Sequence, residues 1–374
     1  MASSPSMPSR PSSACPSSFT SLSTAAASTI SIEHPLRPDN DIFLSLHDLD
    51  VGYRDRCQTT VLLKGLNLQL RRGRLVALLG QNGAGKSTLL RAVTCATRPL
   101  AGYVELAGVG VDLHQLSYRE RSRLVGLVTT ERVLAGALTV RELVELGRQP
   151  YTGQLGRLDD HDHEVVDEAL ESVGIAHKRE AMIADLSDGE RQKVMIAKAL
   201  AQRTPLIVLD EPTAFLDVAS RIEMMTLLHR LAHEQGKAIL LSSHDISQSL
   251  LLADELWVIT ADRSVVAGPT EEVVLSGIMG HVFTSEALAF NNELGDYEAV
   301  LPTAKSVSLD CDEPLLRRCL IAALLRHGVG VAPAANIRVR AASPTRFLVE
   351  SPGRASHEVS SVPALLAHLC RVDE

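Results

Sequence analysis

A glycine-rich stretch in the first third of the chain has the residue types that bind phosphate. It runs from Gly80 to Thr88 with the sequence GQNGAGKST, which fits the pattern GxxxxGK[ST]. Glycines let consecutive backbone N–H groups turn inward around phosphate oxygens, and a helix N-terminus after the loop favours negative charge. Lys86 would reach the β- and γ-phosphates, and the Ser87 hydroxyl would ligate Mg²⁺. The candidate phosphate-binding residues are Gly80, Asn82, Gly83, Gly85, Lys86, Ser87 and Thr88.

A second stretch ends an apolar run with two carboxylates. Leu206–Leu209 is followed by Asp210 and Glu211. An apolar strand followed by Asp-Glu is common, and it indicates a catalytic site only when the chain also has a phosphate-binding stretch. In such a site, Asp210 can hold the metal ion through water, and Glu211 can polarise the water that attacks the γ-phosphate. Glu211 is therefore a candidate catalytic residue together with Lys86, and Asp210 and Ser87 are candidate metal ligands.

Short apolar runs alternate with amphipathic stretches between about Asp41 and Asp262, which predicts the elements that position these groups. Such alternation is typical of an α/β domain with a largely parallel sheet. The predicted strands are Leu75–Leu79, Leu206–Leu209, Ala238–Leu241 and Leu256–Ile259, and the predicted helices are Ser87–Val93, Glu164–Val173, Glu190–Ala201 and Ala219–Glu234.

Further motifs, in a fixed order, give the chain a family resemblance. Leu186–Glu190, LSDGE, lies between the two motifs above and matches an LSGGQ-type signature; DEPT follows at 210–213, Leu216-Asp217 next, and SSHD at 242–245. With these motifs, residues of roughly 42–262 resemble the ATP-binding subunit of an ABC transporter. The resemblance implies a P-loop NTPase of the ABC type, with a RecA-like core, a helical subdomain and an antiparallel β-subdomain. It also implies ATP and Mg²⁺ as cofactors.

The resemblance implies that two copies of the chain sandwich two ATP molecules head to tail. Ser187, Gly189 and Glu190 would then bind the γ-phosphate of the ATP held by the other copy, and Asp217 of the D-loop joins the nucleotide contacts. His244, in the switch, would contact the γ-phosphate and hold the attacking water with Glu211. An ordinary serine-capped helix explains Ser187 but not the whole pentapeptide.

Two candidates are less firmly tied to the family pattern. Tyr53, in Val51-Gly52-Tyr53, fits the aromatic residue that stacks on adenine in this family, although tyrosine beside glycine is also ordinary turn chemistry. The family's Q-loop glutamine falls at Thr130 in this chain. A threonine hydroxyl could still ligate Mg²⁺, and Glu131 competes for that role.

Charge and hydropathy limit the classes of partner that the chain can have. The net charge is −8 and aromatic residues are 3% of the chain, which argues against a dedicated nucleic-acid binder. No apolar run reaches the 18 or so residues that cross a bilayer. With the signature present, this predicts separate integral membrane permease subunits and, through them, a periplasmic or surface substrate-binding protein. The expected location is the cytoplasmic face of the bacterial inner (plasma) membrane.

The substrate class rests on two stretches. Leu146–Thr152, LGRQPYT, resembles the LGRxPYT stretch of ATPases from iron-chelate (siderophore), haem and cobalamin importers, with siderophores favoured. Ala197–Pro205, followed by DEPTAFLD at 210–217, resembles the same branch. The alternative is that these residues only pack the helical subdomain. A soluble ABC-type ATPase without a transport role and an exporter ATPase remain as alternatives to an importer.

The two ends of the chain differ from the ATPase region, 42–299. Residues 1–41 are rich in serine and proline and predict a disordered tail, with a mis-called start or a transit peptide as alternatives. Residues 300–374 predict a small α+β appendage. We interpret it either as a regulatory unit that restrains hydrolysis or as a packing appendage without a ligand. Its predicted elements are strands Ser306–Leu309, Asn336–Arg340 and Arg346–Glu350, and helices Glu313–Arg326 and Val362–Cys370.

Two histidine pairs are weak metal candidates. His161 and His163 lie in a stretch that we predict to be a polar loop. His229 and His233 are one helical turn apart, the spacing of a zinc-binding helix, but the sequence offers no third ligand.

Overall fold

A computed structural model describes residues 41–54, 58–106, 110–129, 138–153, 156–283, 287–291 and 296–371. The strands are β1 Ile42–Arg54, β2 Thr59–Leu66, β3 Gln69–Arg71, β4 Leu75–Leu79, β5 Ala101–Leu106, β6 Val111–Asp112, β7 Val125–Val128, β8 Leu206–Leu209, β9 Ala238–Ser242, β10 Glu255–Ile259, β11 Val265–Pro269, β12 Leu288–Asn291, β13 Asp296–Ala299, β14 Lys305–Asp310, β15 Val329–Val331, β16 Ile337–Ser343, β17 Arg346–Glu350 and β18 His357–Val359. The helices are α1 Lys86–Val93, α2 Tyr118–Ser122, α3 Val140–Glu145, α4 Asp160–Ser172, α5 Asp188–Ala201, α6 Val218–Gln235, α7 Ile246–Leu252, α8 Thr270–Leu275, α9 Met279–Val282, α10 Pro314–Arg326 and α11 Val362–Arg371.

A six-stranded sheet in the order β11-β10-β4-β9-β8-β7 lies at the centre of the ATPase region. β10, β4, β9, β8 and β7 run parallel, and β11 is an antiparallel edge strand. Every residue of β4, β8 and β9 is buried, as expected of strands covered on both faces. The predicted parallel sheet is confirmed, and it gathers the carboxyl ends of β4, β8 and β9 at one edge.

Different layers cover the two faces of this sheet. Leu75, Ala77 and Leu79 belong to the core shared with the helical layer α3–α6, whereas Val76 and Leu78 belong to a second core. That second core also contains α1 and the antiparallel sheet of β2, β1, β5 and β6, with β3 paired to β1. The alternation along β4 is the two-residue period of a strand.

The predicted polar loop around His161 and His163 is wrong. Both residues lie in the first turn of α4, which begins at Asp160. Asp159 and Asp162 form a reciprocal capping box that satisfies the free N–H groups at the helix start. The cluster of aspartates that suggested a loop is thus the N-terminal cap of a helix. Among the described residues, no group of three or more His, Cys, Asp or Glu side chains could hold a metal ion.

A hairpin follows the ATPase core and packs against it. It consists of β12 and β13, which pair antiparallel. The Tyr297 ring makes edge contacts with Phe283 at 5.4 Å and Phe290 at 4.9 Å between centroids, and its hydroxyl donates to the carbonyl of Met279. All three aromatic residues pack against the core that contains the helical layer.

The C-terminal appendage has a hydrophobic core of its own. Its sheet has the order β15-β14-β16-β17-β18, and its buried residues, from Val307 to Leu369, form a separate cluster with α10 and α11. The predicted strands and helices are all present, whereas the short strands β15 and β18 were not predicted. In the described part of the chain, no helix is both long and apolar enough to span a bilayer.

Candidate nucleotide site

The loop between β4 and α1 has the backbone of a phosphate cradle. Gly80, Gly83 and Gly85 have φ values of 158°, 76° and 109°. Residues with a Cβ atom rarely adopt such values. A Cβ on Gly80 would also lie 3.0 Å from the Cβ of Ile259. Gly85 is the N-cap of α1. The glycine spacing therefore meets a backbone requirement at each of these positions and directs the loop into the helix N-terminus.

Lys86 is buried and turns back over this loop. Its Nζ donates to the carbonyl oxygens of Gly80 at 2.7 Å and Gln81 at 3.3 Å. Burial lowers the pKa of Lys86, and the nearby carboxylates of Glu211 and Asp210 oppose that shift. The ammonium group thus lies between the glycine loop and the two carboxylates.

Ser242 joins the two carboxylates to the neighbouring strand. Asp210 Oδ1 accepts hydrogen bonds from Ser87 Oγ at 3.2 Å and from Ser242 Oγ at 2.7 Å. The same Ser242 oxygen accepts from the backbone N–H of Glu211 at 2.9 Å. Hydroxyl and carboxylate oxygens are the ligands that Mg²⁺ prefers, so this set fits that ion. The sequence analysis assigned Ser242 no role of its own within SSHD. A serine that directly follows the apolar run 238–241 could have indicated a polar contact at the end of that strand.

Glu211 and His244 form the solvent-facing part of the site. His244 Nε2 lies 2.6 Å from Glu211 Oε1, and both side chains are partly exposed. Glu211 has φ +53°, an uncommon conformation for a residue with a side chain, and such strain is concentrated at functional sites. Asp245 directly after His244 caps α7 by accepting from the Gln248 N–H. The ends of β8 and β9 therefore bring the predicted base and histidine together.

The signature Leu186–Glu190 forms the start of α5. Ser187 is the N-cap, and its hydroxyl accepts from the Glu190 N–H at 3.3 Å. Glu190 Oε2 accepts from the backbone N–H of Ser187 at 3.0 Å and from its hydroxyl at 3.1 Å, which completes a capping box. The carboxylate of Glu190 thus bonds within its own chain, while Ser187 is exposed.

Asp217 also bonds within its own chain. Its Oδ1 accepts from the Ser220 N–H at 2.8 Å and caps α6, and this backbone hydrogen bond lowers the pKa of Asp217. Gly189 lies beside Ser220, because a Cβ there would be 3.4 Å from Ser220 Oγ. Among the described contacts, no hydrogen bond joins the signature to Gly80–Thr88.

Tyr53 lies in β1 and is exposed, at 57% of its full surface. It pairs with Thr60 of β2, and Leu62 and Leu63 of the same strand lie against Gly85 of the phosphate loop. The exposed ring therefore belongs to a hairpin that contacts the loop. Thr130 and its competitor Glu131 lie outside the described residues.

The LGRQPYT stretch is held by buried polar contacts. Arg148, 3% exposed, donates from Nε to Asp162 Oδ1 at 2.7 Å and from Nη1 to the carbonyl of Ala201 at 2.8 Å. Its Cζ lies 4.1 Å from the centroid of the Tyr151 ring, and the Tyr151 hydroxyl donates to the carbonyl of Gln202. Arg148 and Tyr151 therefore have the packing role that the alternative interpretation gave this stretch.

The same stretch forms one wall of a groove of about 670 Å³. The groove is also lined by α2, by the residues after α1 and by Leu127, which is 40% exposed. Other lining residues are Cys95, Tyr118, Arg121, Leu146, Gly147, Gln149, Pro150, Thr152 and Lys198. The groove was not predicted, because its walls come from segments far apart in the sequence.

Comparisons with known proteins agree with this arrangement. A family model described as "ABC transporter" matches residues 63–214. An uncharacterised ABC transporter ATP-binding protein of Methanocaldococcus jannaschii is 36% identical over 255 residues, which are 68% of this chain and 86% of that protein. The iron(3+)-hydroxamate import ATP-binding protein of Bacillus subtilis is 37% identical over 244 residues, 65% of this chain and 88% of that protein. A dimeric ATP-binding cassette in a post-hydrolysis state with ADP and phosphate superposes with a TM-score of 0.53 at 27% identity, covering 61% of this chain and 98% of that one.

Proposed function

Because this chain belongs to the ATP-binding proteins of ABC transporters and is an ATPase, we propose that it powers an importer of an iron chelate (siderophore) or of the related haem or cobalamin. The observation that carries the proposal is the grouping of Lys86, Asp210, Glu211 and His244 at one edge of the parallel sheet. The substrate class is supported by relatives such as the iron(3+)-hydroxamate import protein and the petrobactin import protein of Bacillus anthracis.

Each residue of the site has a chemical role in this proposal. Loop N–H groups and Lys86 bind the β- and γ-phosphates of ATP, and Ser87 and Asp210 would hold Mg²⁺, with Thr130 as a further candidate. When bound, Mg²⁺ offsets negative charge on the phosphates. Glu211 accepts a proton from the attacking water at Oε1, and His244 keeps that water beside the γ-phosphate.

Two copies of the chain complete the site. Ser187 and the N–H groups near Gly189 lie at a helix N-terminus, which suits a phosphate, and they are turned to the γ-phosphate of the other copy. Tyr53 stacks on adenine, and Glu190 and Asp217 hold the signature and D-loop helices in place through their caps. The dimeric cassette with ADP and phosphate supports this arrangement.

The variant Glu211→Gln tests the catalytic assignment. We expect it to form a dimer with ATP and Mg²⁺ that persists, with phosphate release lowered by about 10²-fold or more because the base is lost. Light scattering and a phosphate assay measure the two properties. The matched control is Glu223→Gln, a surface glutamate of α6, which should behave as wild type. Normal hydrolysis by Glu211→Gln would contradict the role of the base.

We assign the groove beside the LGRQPYT stretch to the permease. Its mixed polar and apolar lining and its 670 Å³ suit a short helix from a membrane subunit, which in turn binds a periplasmic or surface substrate-binding protein. The location that goes with this proposal is the cytoplasmic face of the bacterial inner (plasma) membrane. Nucleic acid has no part in the proposal.

Pull-down from detergent-solubilised membranes tests the partner. We expect the wild type to retain an integral membrane subunit, and Leu127→Glu, in the lining of the groove, to lose it while keeping basal ATPase activity. Leu275→Glu, at an exposed leucine of α8, is the matched control and should retain the partner. Recovery without any membrane subunit would favour a soluble non-transport ATPase, and outward transport in reconstituted vesicles would favour an exporter.

A further inference from the structure

The signature of this chain carries two more negative charges than the LSGGQ pattern that it resembles. Asp188 and Glu190 stand where that pattern has glycine and glutamine. Carboxylates in the first turn stabilise a helix, but they also repel a phosphate that approaches the same helix end. A signature that must bind a phosphate therefore needs these two charges to be compensated.

Lys178 compensates the charge of Glu190. It ends a short 3-10 turn, Ala176–Lys178, that precedes the signature, and its Nζ lies 2.6 Å from Glu190 Oε1. The hydrogen bond from Lys178, followed by that from the Ser187 backbone, lowers the pKa of Glu190 to about 2. The carboxylate thus stays ionised at neutral pH, with a cation on one oxygen and the Ser187 groups on the other.

Arg191 compensates the charge of Asp188 in the same way. Its Nη1 donates to Asp188 Oδ1 at 2.8 Å, and its Nη2 donates to the carbonyl of Leu186 at 3.0 Å. The guanidinium group is therefore fixed at two points beside the exposed Asp188. Each added carboxylate has its own cation, one from before the helix and one from within it.

We propose that Lys178 and Arg191 are positioning residues for the ATP-bound dimer: they neutralise Glu190 and Asp188, so that Ser187 can receive the γ-phosphate of the other copy. This inference rests on the proposed function, because it needs the head-to-tail dimer. Lys178 acts through Glu190, which accepts from the Ser187 hydroxyl and backbone N–H.

The test measures the ATP concentration that gives half-maximal dimer formation in the Glu211→Gln background. We expect Lys178→Met to raise it about tenfold, because an uncompensated carboxylate then faces the phosphate. Adding Glu190→Gln to that variant should restore the value to within about twofold, since the pair is then neutral again. ATP binding by the monomer, measured with a fluorescent nucleotide at low protein concentration, should stay unchanged in both.

The matched control is Lys193→Met. Lys193 lies on α5, the helix that contains Glu190, and forms a 3.0 Å ion pair with Glu223. This variant should leave the half-maximal concentration within about twofold, as expected for a surface pair. The proposal is overturned if Lys178→Met behaves like this control, or if Glu190→Gln fails to rescue a folded Lys178→Met protein, as judged by its urea midpoint. If the Glu211→Gln background itself forms no dimer with ATP, the proposed function fails instead.

Discussion

Replacing Arg148 by methionine tests whether the LGRQPYT stretch is held by its buried ion pair. The change keeps an apolar chain of similar length but removes the guanidinium group. Asp162 would then remain buried as an unpaired carboxylate, at the point where α4 packs beside the end of α5. Burial alone would raise the pKa of Asp162, but the hydrogen bonds from Arg148 and Asp159 outweigh it and leave that pKa lowered.

The expected loss follows from what each contact contributes. Removing one partner of a buried ion pair costs about 3–5 kcal/mol, and losing the guanidinium stacked on Tyr151 adds about 1 kcal/mol. Against a total stability of about 5–15 kcal/mol, the helical layer should unfold at markedly lower urea concentration. Circular dichroism and amide hydrogen exchange in α4 and α5 would measure the loss.

Two further variants make this prediction refutable. Arg203→Met removes an exposed guanidinium that pairs with Glu168 at 3.2 Å, and should cost less than about 1 kcal/mol. Arg148→Met combined with Asp162→Asn keeps an oxygen to accept from the Asp159 N–H but removes the buried charge, and should recover at least half of the loss. If Arg148→Met is no less stable than Arg203→Met, the reasoning is wrong.

Three other predictions concern the signature, the histidine and the appendage. The low pKa of Glu190 stabilises the fold fully above the unfolded value near 4.5, and this contribution is lost as the pH falls toward 2. Lys178→Met should therefore be less stable than wild type at neutral pH, and the gap in urea midpoint should narrow as the pH falls from about 4.5 toward 2; a constant gap would contradict it. His244→Ala should lower kcat by about 10²-fold with little change in KM, because the 2.6 Å contact with Glu211 is lost; a raised KM at unchanged kcat would oppose the role. A chain ending at Ala299 should stay folded, since the appendage core comes from Val307–Leu369. A phosphate-release assay should show faster ATP hydrolysis by this shortened chain, and an equal rate would contradict the regulatory role.

The sequence located those parts of the site whose residues are contiguous. Gly80–Thr88, Asp210-Glu211 and the strands before them could be predicted, because a glycine loop and an apolar run each leave a local pattern. The strand bounds Leu75–Leu79 and Leu206–Leu209 agree with β4 and β8.

Contacts between distant residues could not be predicted. The bond from Ser242 to Asp210 spans 32 positions, and the pair Arg148–Asp162 depends on how the LGRQPYT stretch packs against α4. The strand β15 has three residues, which is too short for a periodic pattern. The error at His161 has a local cause, since aspartates that cap a helix look the same in sequence as aspartates of a loop.

Helix α9 and the hairpin of β12 and β13 limit how far the chain can be shortened. Gln81, in the phosphate loop, donates from Nε2 to the carbonyl of Val282 at 2.7 Å. Ser247, in α7 three residues after His244, donates to Asp296 Oδ2 at 2.8 Å. A chain shortened near Asp262, where the family resemblance ends, would lose both acceptors and leave the loop and α7 without these supports. We therefore expect the minimal catalytic fragment to extend to Ala299. A tag inserted between Asp262 and Ala299 should disturb the contact of Gln81 in the phosphate loop.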